Sequence, residues 1–405
     1  MSSPETSSAP ESPLPQDDST LEPTLNPSDR PVVSGRAMLG YFLRLGTLGF
    51  GGPIALAGAM HRDLVDQRRW VTEEEYRDGL ALAQLAPGPL AAQLAIYLGW
   101  ARGRVLGATL AGVGFVLPSF VMVLGLSLLY VRVGGLPWMR GVFYGVSAAV
   151  IAIIARSAAK LARASLRRDP LLWALFLVAA IVTIATASEI VWVFLAAGVV
   201  TVLVRRGGTG AGAAVIPWTL FLTGPALPAA PLAWQLFWYF GEASLFVFGS
   251  GLAIVPFLHA GVVETRGWLT EQQFLDAVAV AMITPGPVVI TVAFIGFLVA
   301  GFAGAFAAGL GMFLPTYLVV LLAAPYYERL KSNRPVRDFV DGITAATTGG
   351  IAGAAVVLGR NALSDWPAWL VAVATLALLL RTRLPEPMLI AGAGVVGLAI
   401  GDAAR

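Results

Sequence analysis

The sequence predicts an all-α polytopic membrane protein whose two homologous halves form an inverted-topology repeat, with about ten spans and two re-entrant Pro-Gly-Pro hairpins. Three observations predict it. The chain has 405 residues, 57% of them hydrophobic and 13% charged, where a soluble domain carries about 25% charged residues. Apolar runs of about 20 residues recur along it, each long enough to cross about 30 Å of hydrocarbon. The chain also repeats itself at one constant offset.

Composition excludes much of the rest. There is no cysteine and there are two histidines, which largely removes disulfides, thiol redox chemistry and ordinary zinc sites. No dinucleotide fingerprint follows a strand, and no Walker motif is present, so the reading includes no cofactor, no enzyme and no direct use of ATP. The 27 Lys and Arg against 24 Asp and Glu sit in short clusters between apolar runs. That pattern reports orientation in a lipid bilayer and argues against a nucleic-acid partner. Residues 1–35, rich in Ser, Pro and acidic groups, read as a disordered tail without the layout of a signal peptide.

The repeat is read residue by residue. Pro87-Gly88-Pro89 returns as Pro285-Gly286-Pro287, and the same offset maps Tyr41-Phe42 onto Tyr239-Phe240, Phe50-Gly51 onto Phe248-Gly249 and His61 onto His259. It also maps Arg68 onto Arg266, Trp70 onto Trp268, Asp78 onto Asp276 and Phe115 onto Phe313, after which Pro118 matches Pro315 with a slip of one residue. Residues 36–206 are thus a first repeat, 207–231 a linker and 232–405 a second repeat.

Taken in order, the first span, Met38–Met60, is interrupted at Gly51-Gly52-Pro53, and its copy at Gly249-Ser250-Gly251. Glycines followed by a helix-starting proline fit a broken helix whose second half begins near mid-membrane. Next, Thr72 with Glu75 and Thr270 with Gln273 form capping boxes that start a helix. That helix runs about four turns before Pro-Gly-Pro stops it, too short to cross. Leu90–Trp100 and Val288–Leu298 continue as helix, so each unit reads as a hairpin with an unwound tip, tolerated at membrane depth only inside protein or beside water. Val105–Val131, Gly141–Ala159, Leu171–Ala187 and Ile190–Val204 complete the first half. The cluster Arg156, Lys160, Arg163, Arg167 and Arg168 is placed in the cytoplasm. The basic residues flank the long span differently in the second half, which implies opposite orientations and an odd number of crossings between halves, a transporter architecture.

Several residues are candidates for a site. Free N–H groups at Gly51, Gly52 and at Gly249, Ser250, Gly251 would form an anion site at half-helix N-termini; the competing reading is that these glycines only let helices pack closely. The tips Pro87, Gly88, Pro285 and Gly286 are flanked by the neutral donors Gln84, Gln93, Thr284 and Thr291, which line a pocket or hydrogen-bond between helices. Arg44 lies in an apolar run, its matching position is Glu242, and ionisable groups inside a membrane are functional candidates by default. Arg44 neutralises an anion, pairs with Glu242, or snorkels to the interface. Glu242 is a candidate proton carrier. His61 and His259 are expected on opposite faces, where each hydrogen-bonds locally, with no shared metal.

Phe50-Gly51-Gly52-Pro53, the Ala86-Pro87-Gly88-Pro89 element about thirty residues on, and their echoes Phe248-Gly249-Ser250-Gly251 and Thr284-Pro285-Gly286-Pro287 together resemble the chromate ion transporter family in its long-chain, two-domain form. The resemblance covers essentially everything after the tail. It implies efflux of chromate, or handling of a sulfate-like oxyanion, at the bacterial inner membrane and hence chromate resistance. The second break departs from the first, Gly-Ser-Gly for Gly-Gly-Pro, which implies unequal half-sites. Uniport, proton-coupled exchange and antiport all remain open, as does a channel, and a homo-oligomer is compatible with the sequence. A membrane-embedded enzyme would want paired carboxylates or a His–nucleophile set at depth, and only Glu242 is offered.

Overall fold

The computed structural model describes residues 33–50, 52–133, 137–166, 168–186, 191–206, 231–245, 247, 254–327, 333–363, 365–382, 384 and 386–403. Helix α1, Gly35–Leu48, starts where Ser34 accepts a hydrogen bond from the Ala37 N–H. After Gly49 comes α2, Gly52–Met60, with Pro53 in its first turn. In the second half α8, Leu232–Ser244, and α9, Ile254–His259, stand on either side of the matching interruption. Gly51, Gly249, Ser250 and Gly251 lie outside the described residues.

Both broken spans end in a π-helical turn, His61–Gln67 and Ala260–Thr265, which periodicity does not foretell. The capping boxes follow as expected and open α3, Glu73–Leu85, and α10, Glu271–Ile283. Each has 13 residues, a rise of about 20 Å at 1.5 Å per residue, short of the bilayer core. Beyond the tips run α4, Leu90–Val133, and, after a 3-10 turn at Val288–Ile290, α11, Thr291–Ala323.

Neither α4 nor α11 is continuous. Gly103 and Arg104 leave helical geometry at φ −144° and +51°, and Ala300 and Gly301 do the same at −142° and +61°. The chain folds back at each break so tightly that a Cβ on Gly99 would strike the Gly107 carbonyl, and one on Gly296 the Gly304 carbonyl. Each hairpin therefore runs along its first arm, turns at Pro-Gly-Pro, runs back, and reverses into a long apolar helix. This geometry corrects the repeat register: the one-residue slip falls before Gly99, so the copy of Phe115 is Met312, equally buried, and not Phe313.

The remaining helices are α5, Pro137–Ser165; α6, Pro170–Thr186; α7, Val191–Arg206; α12, Arg334–Ala362; α13, Trp366–Arg381; and α14, Glu386–Ala403. Among the described residues, four helical stretches, Leu90–Arg132, Tyr144–Ser165, Val288–Tyr326 and Arg334–Arg360, are long and apolar enough to cross a membrane, and four shorter apolar helices accompany them. No strand occurs among the described residues.

Packing joins helices within each half, α1 on α4 and α8 on α11, and also crosses the midpoint of the sequence. The pair α6 and α7 packs on α12, while α13 and α14 pack on α5. The long arms of α4 and α11 run antiparallel: Thr109, early in one, hydrogen-bonds Tyr317, late in the other, at 2.7 Å, and Phe120 meets Phe306 edge to face, centroids 5.8 Å apart. The main core cluster draws on α4 and α5 as well as on α8 to α14.

Candidate functional site

Each Pro-Gly-Pro tip ends in the other half of the chain. The Gly88 N–H donates to the Val247 carbonyl at 2.6 Å, just past α8, and the Gly286 N–H donates to the Gly49 carbonyl at 2.8 Å, just past α1. The two acceptors are equivalent in the repeat. So are the walls: Thr316 of α11 stands against Gly88, and Ser119 of α4 against Gly286. Both glycines have positive φ, +132° and +99°, a region closed to ordinary side chains, and an added Cβ would also press on those hydroxyls.

The walls are held in place. Ser244 donates to the Met312 carbonyl at 2.7 Å and lies 3.0 Å from the Thr316 hydroxyl. Ser119 donates to the Gly46 carbonyl at 3.3 Å. Gln93 is fully buried, and its amide donates to the carbonyls of Ala86 and Pro87 at 3.2 and 2.6 Å, which fixes the bend of the first tip. Its Oε1 is buried with no partner.

The structure places the expected site residues unevenly. Pro87, Gly88, Gln93, Thr284, Pro285 and Gly286 gather at the two tips and are buried, but the donors are engaged by the chain. Thr284 donates to the Val280 carbonyl and Thr291 to that of Val288. Gln84 faces outward from α3, one turn before the first tip. Arg44 is exposed on the side of α1 away from buried Tyr41, Phe42, Leu45 and Gly46, while Glu242 is half-buried within the field of Arg266. Arg44 and Glu242 form no ion pair with each other. Glu242 lies within the attractive field of Arg266, whereas Arg44 stands on the exposed face of its helix.

Ser119, Thr316 and Ser244 escape the sequence reading. Their signal was available, because Ser119 and Thr316 directly follow the matched prolines Pro118 and Pro315 and occupy one repeat position once the slip is placed correctly. Each histidine hydrogen-bonds its own hairpin, His61 to Glu73 at 2.7 Å and His259 to Glu271 at 2.6 Å. Among the described residues no group of three or more His, Asp or Glu could hold a metal ion.

Comparison with known proteins agrees with this duplicated plan. The family described as Chromate transporter matches residues 36–202 and again 234–398. The chromate transport protein of Cupriavidus metallidurans is 54% identical over 385 residues, 91% of this chain and 94% of that one. The probable chromate transport protein of Synechococcus elongatus is 52% identical over 380 residues, 91% and 96% of the two chains. The chromate transport protein of Pseudomonas aeruginosa is 32% identical over 94% of each chain. No solved structure matches. On this evidence the chain belongs to the chromate transporter family.

Proposed function

We propose that this chain is a secondary transporter that exports chromate across the bacterial inner membrane, the oxyanion lodging where the Pro-Gly-Pro tips meet the breaks of the first spans. The observation that carries the reading is the reciprocal insertion of Gly88 and Gly286 beside Val247 and Gly49. Irregular backbone at membrane depth is tolerated where it lines a site, and two pieces of it lie together here. The helix beginning at Gly52 aims N–H groups and partial positive charge toward that region. The first turn of that helix offers backbone donors without a deep fixed charge, so the anion can leave as well as enter.

The antiparallel packing of the long arms of α4 and α11 supports an inverted-topology repeat, and with it alternating access by rocking of one half against the other. The second half lacks the first half's proline at the break and carries Thr316 where the first has Ser119, so the two half-sites are unequal. A membrane potential favours expulsion of an anion by about 2.3 kcal/mol per charge per 100 mV.

The test is uptake of labelled chromate into everted vesicles carrying the protein, with sulfate, phosphate and nitrate as competitors. Saturable, potential-dependent accumulation is expected, with sulfate competing. Arg44 faces away from the tips, so Arg44→Gln is expected to leave uptake at low chromate close to wild type; a several-fold loss would bring Arg44 into the site. Preference for sulfate over chromate would keep the architecture and change the substrate, and no anion flux from folded protein would overturn the proposal.

A further inference from the structure

One duplicated constellation is left unused by the tips. His259, 4% exposed, sits between two carboxylates, with Nε2 2.6 Å from Glu271 and Nδ1 3.4 Å from Glu264. His61 repeats this with Nε2 2.7 Å from Glu73 and Nδ1 3.6 Å from Asp66. The four acidic positions correspond across the repeat. Each ring also lies edge-on to an aromatic of the hairpin arm, Tyr76 or Phe274. Further charge at the first site comes from Arg77, which shares Glu73 at 2.8 Å. At the second, Glu271 Oε1 is buried without a partner.

A neutral imidazole has one N–H and one lone pair. Between two carboxylates it donates to one and turns its lone pair on the other, a repulsive contact. An imidazolium donates to both. A proton on the second carboxyl, donated to Nδ1, closes the same gap. Burial pushes the Glu264 carboxyl up, which favours such a proton at the second site, and the hydrogen bond with His61 holds the Glu73 carboxyl below the usual range, which keeps it an ionised acceptor at the first.

We propose that each histidine with its two carboxylates is a proton-binding site that locks the π-helical turn to the base of its hairpin. The carboxylates straddle that joint, Asp66 and Glu264 lying in the turns, Glu73 and Glu271 opening the hairpin arms α3 and α10. The turn is tied in addition to the first span of its half, because Arg68 stacks on Tyr41 and Trp70, and Arg266 on Tyr239 and Trp268. Loss of the proton removes one of the two histidine links and loosens the base of an arm whose tip touches the other half. This inference does not depend on the identity of the transported anion.

The test uses the full chain in nanodiscs. Because there are two histidines, each side-chain NMR signal is assigned by one substitution, His61→Gln or His259→Gln. Amide hydrogen exchange of residues 258–273, corrected for intrinsic rate, is followed together with the His259 signal from about pH 5 to 8. Protection is expected to fall about tenfold as the site loses its proton, the scale of one hydrogen bond. Glu264→Gln is expected to keep protection in both states, because the substituted amide donates to Nδ1 and satisfies a neutral ring. Protection that stays level while His259 titrates would overturn the proposal, and so would full pH dependence in Glu264→Gln. The unsubstituted chain decides the first point even where a variant fails to fold.

Discussion

At Gly88 and Gly286 two demands coincide, a positive φ and a hydroxyl of the other half within reach of any added Cβ. Alanine there adds backbone strain of about 1–3 kcal/mol and pushes on Ser119 or Thr316. Gly286→Ala is therefore expected to cut chromate uptake at least tenfold at equal membrane level, and Ser119→Gly on that background to recover part of it; wild-type uptake by Gly286→Ala would sink the tip as a site. Two other turn positions make a contrast. Arg69 and Arg104 adopt φ of 51°, and their structural copies are Gly267 and Gly301 at 58° and 61°. The repeat has kept the conformation while changing the residue, with Arg104 held in part by stacking on Trp100. Letter matching finds the tips for this reason and misses the fold-back turns.

Among the elements, α7 carries the clearest ionic fastening. Arg205 contacts Asp169 before α6 at 2.6 Å, and Asp338 and Asp341 of α12 at 2.7 and 2.8 Å. One guanidinium thus clips a helix pair of the first half to a helix of the second. The hydrogen bond from Arg205 holds the Asp169 carboxyl below its ordinary range. A depressed folded value means stability that is full above the unfolded value, about pH 4, and lost as pH falls through the folded one. The thermal midpoint of the solubilised protein is expected to drop on acidification below about pH 4, with a smaller drop in Arg205→Gln, which already lacks the clip at neutral pH. An equal acid slope in both proteins would count against it. The sequence marks Arg205 merely as a basic residue ending an apolar run, because its three partners come from segments far apart in the chain.

At the scale of the molecule, exchange is the organising fact. With α6 and α7 on α12, and α13 and α14 on α5, each half buries some of its helices against the other, so the halves are one working unit. The absence of cysteine makes accessibility a clean test of orientation. Glu74→Cys and Gln272→Cys, matched positions at the bases of the hairpins, are expected to react with a membrane-impermeant maleimide from opposite sides of sealed vesicles. Reaction from one side would overturn the inverted repeat and the alternating access built on it.

Composition, run length, the Pro-Gly-Pro elements and the capping boxes were enough by themselves to determine a helical membrane protein, its duplication, its interrupted first spans and its short hairpins. Those features are local: a proline ends a helix, a threonine starts one, and about 20 apolar residues suffice to span hydrocarbon. Tertiary structure decided the rest. It turned Arg44 outward while drawing Glu242 toward Arg266, engaged Gln93, Thr284 and Thr291 with their own backbone, and brought Ser119 and Thr316 to the tips of the opposite half. Such placements depend on which faces meet across the repeat. A hydrogen bond between Gly286 and Gly49 joins residues that no local pattern relates, and only the packed chain brings them together.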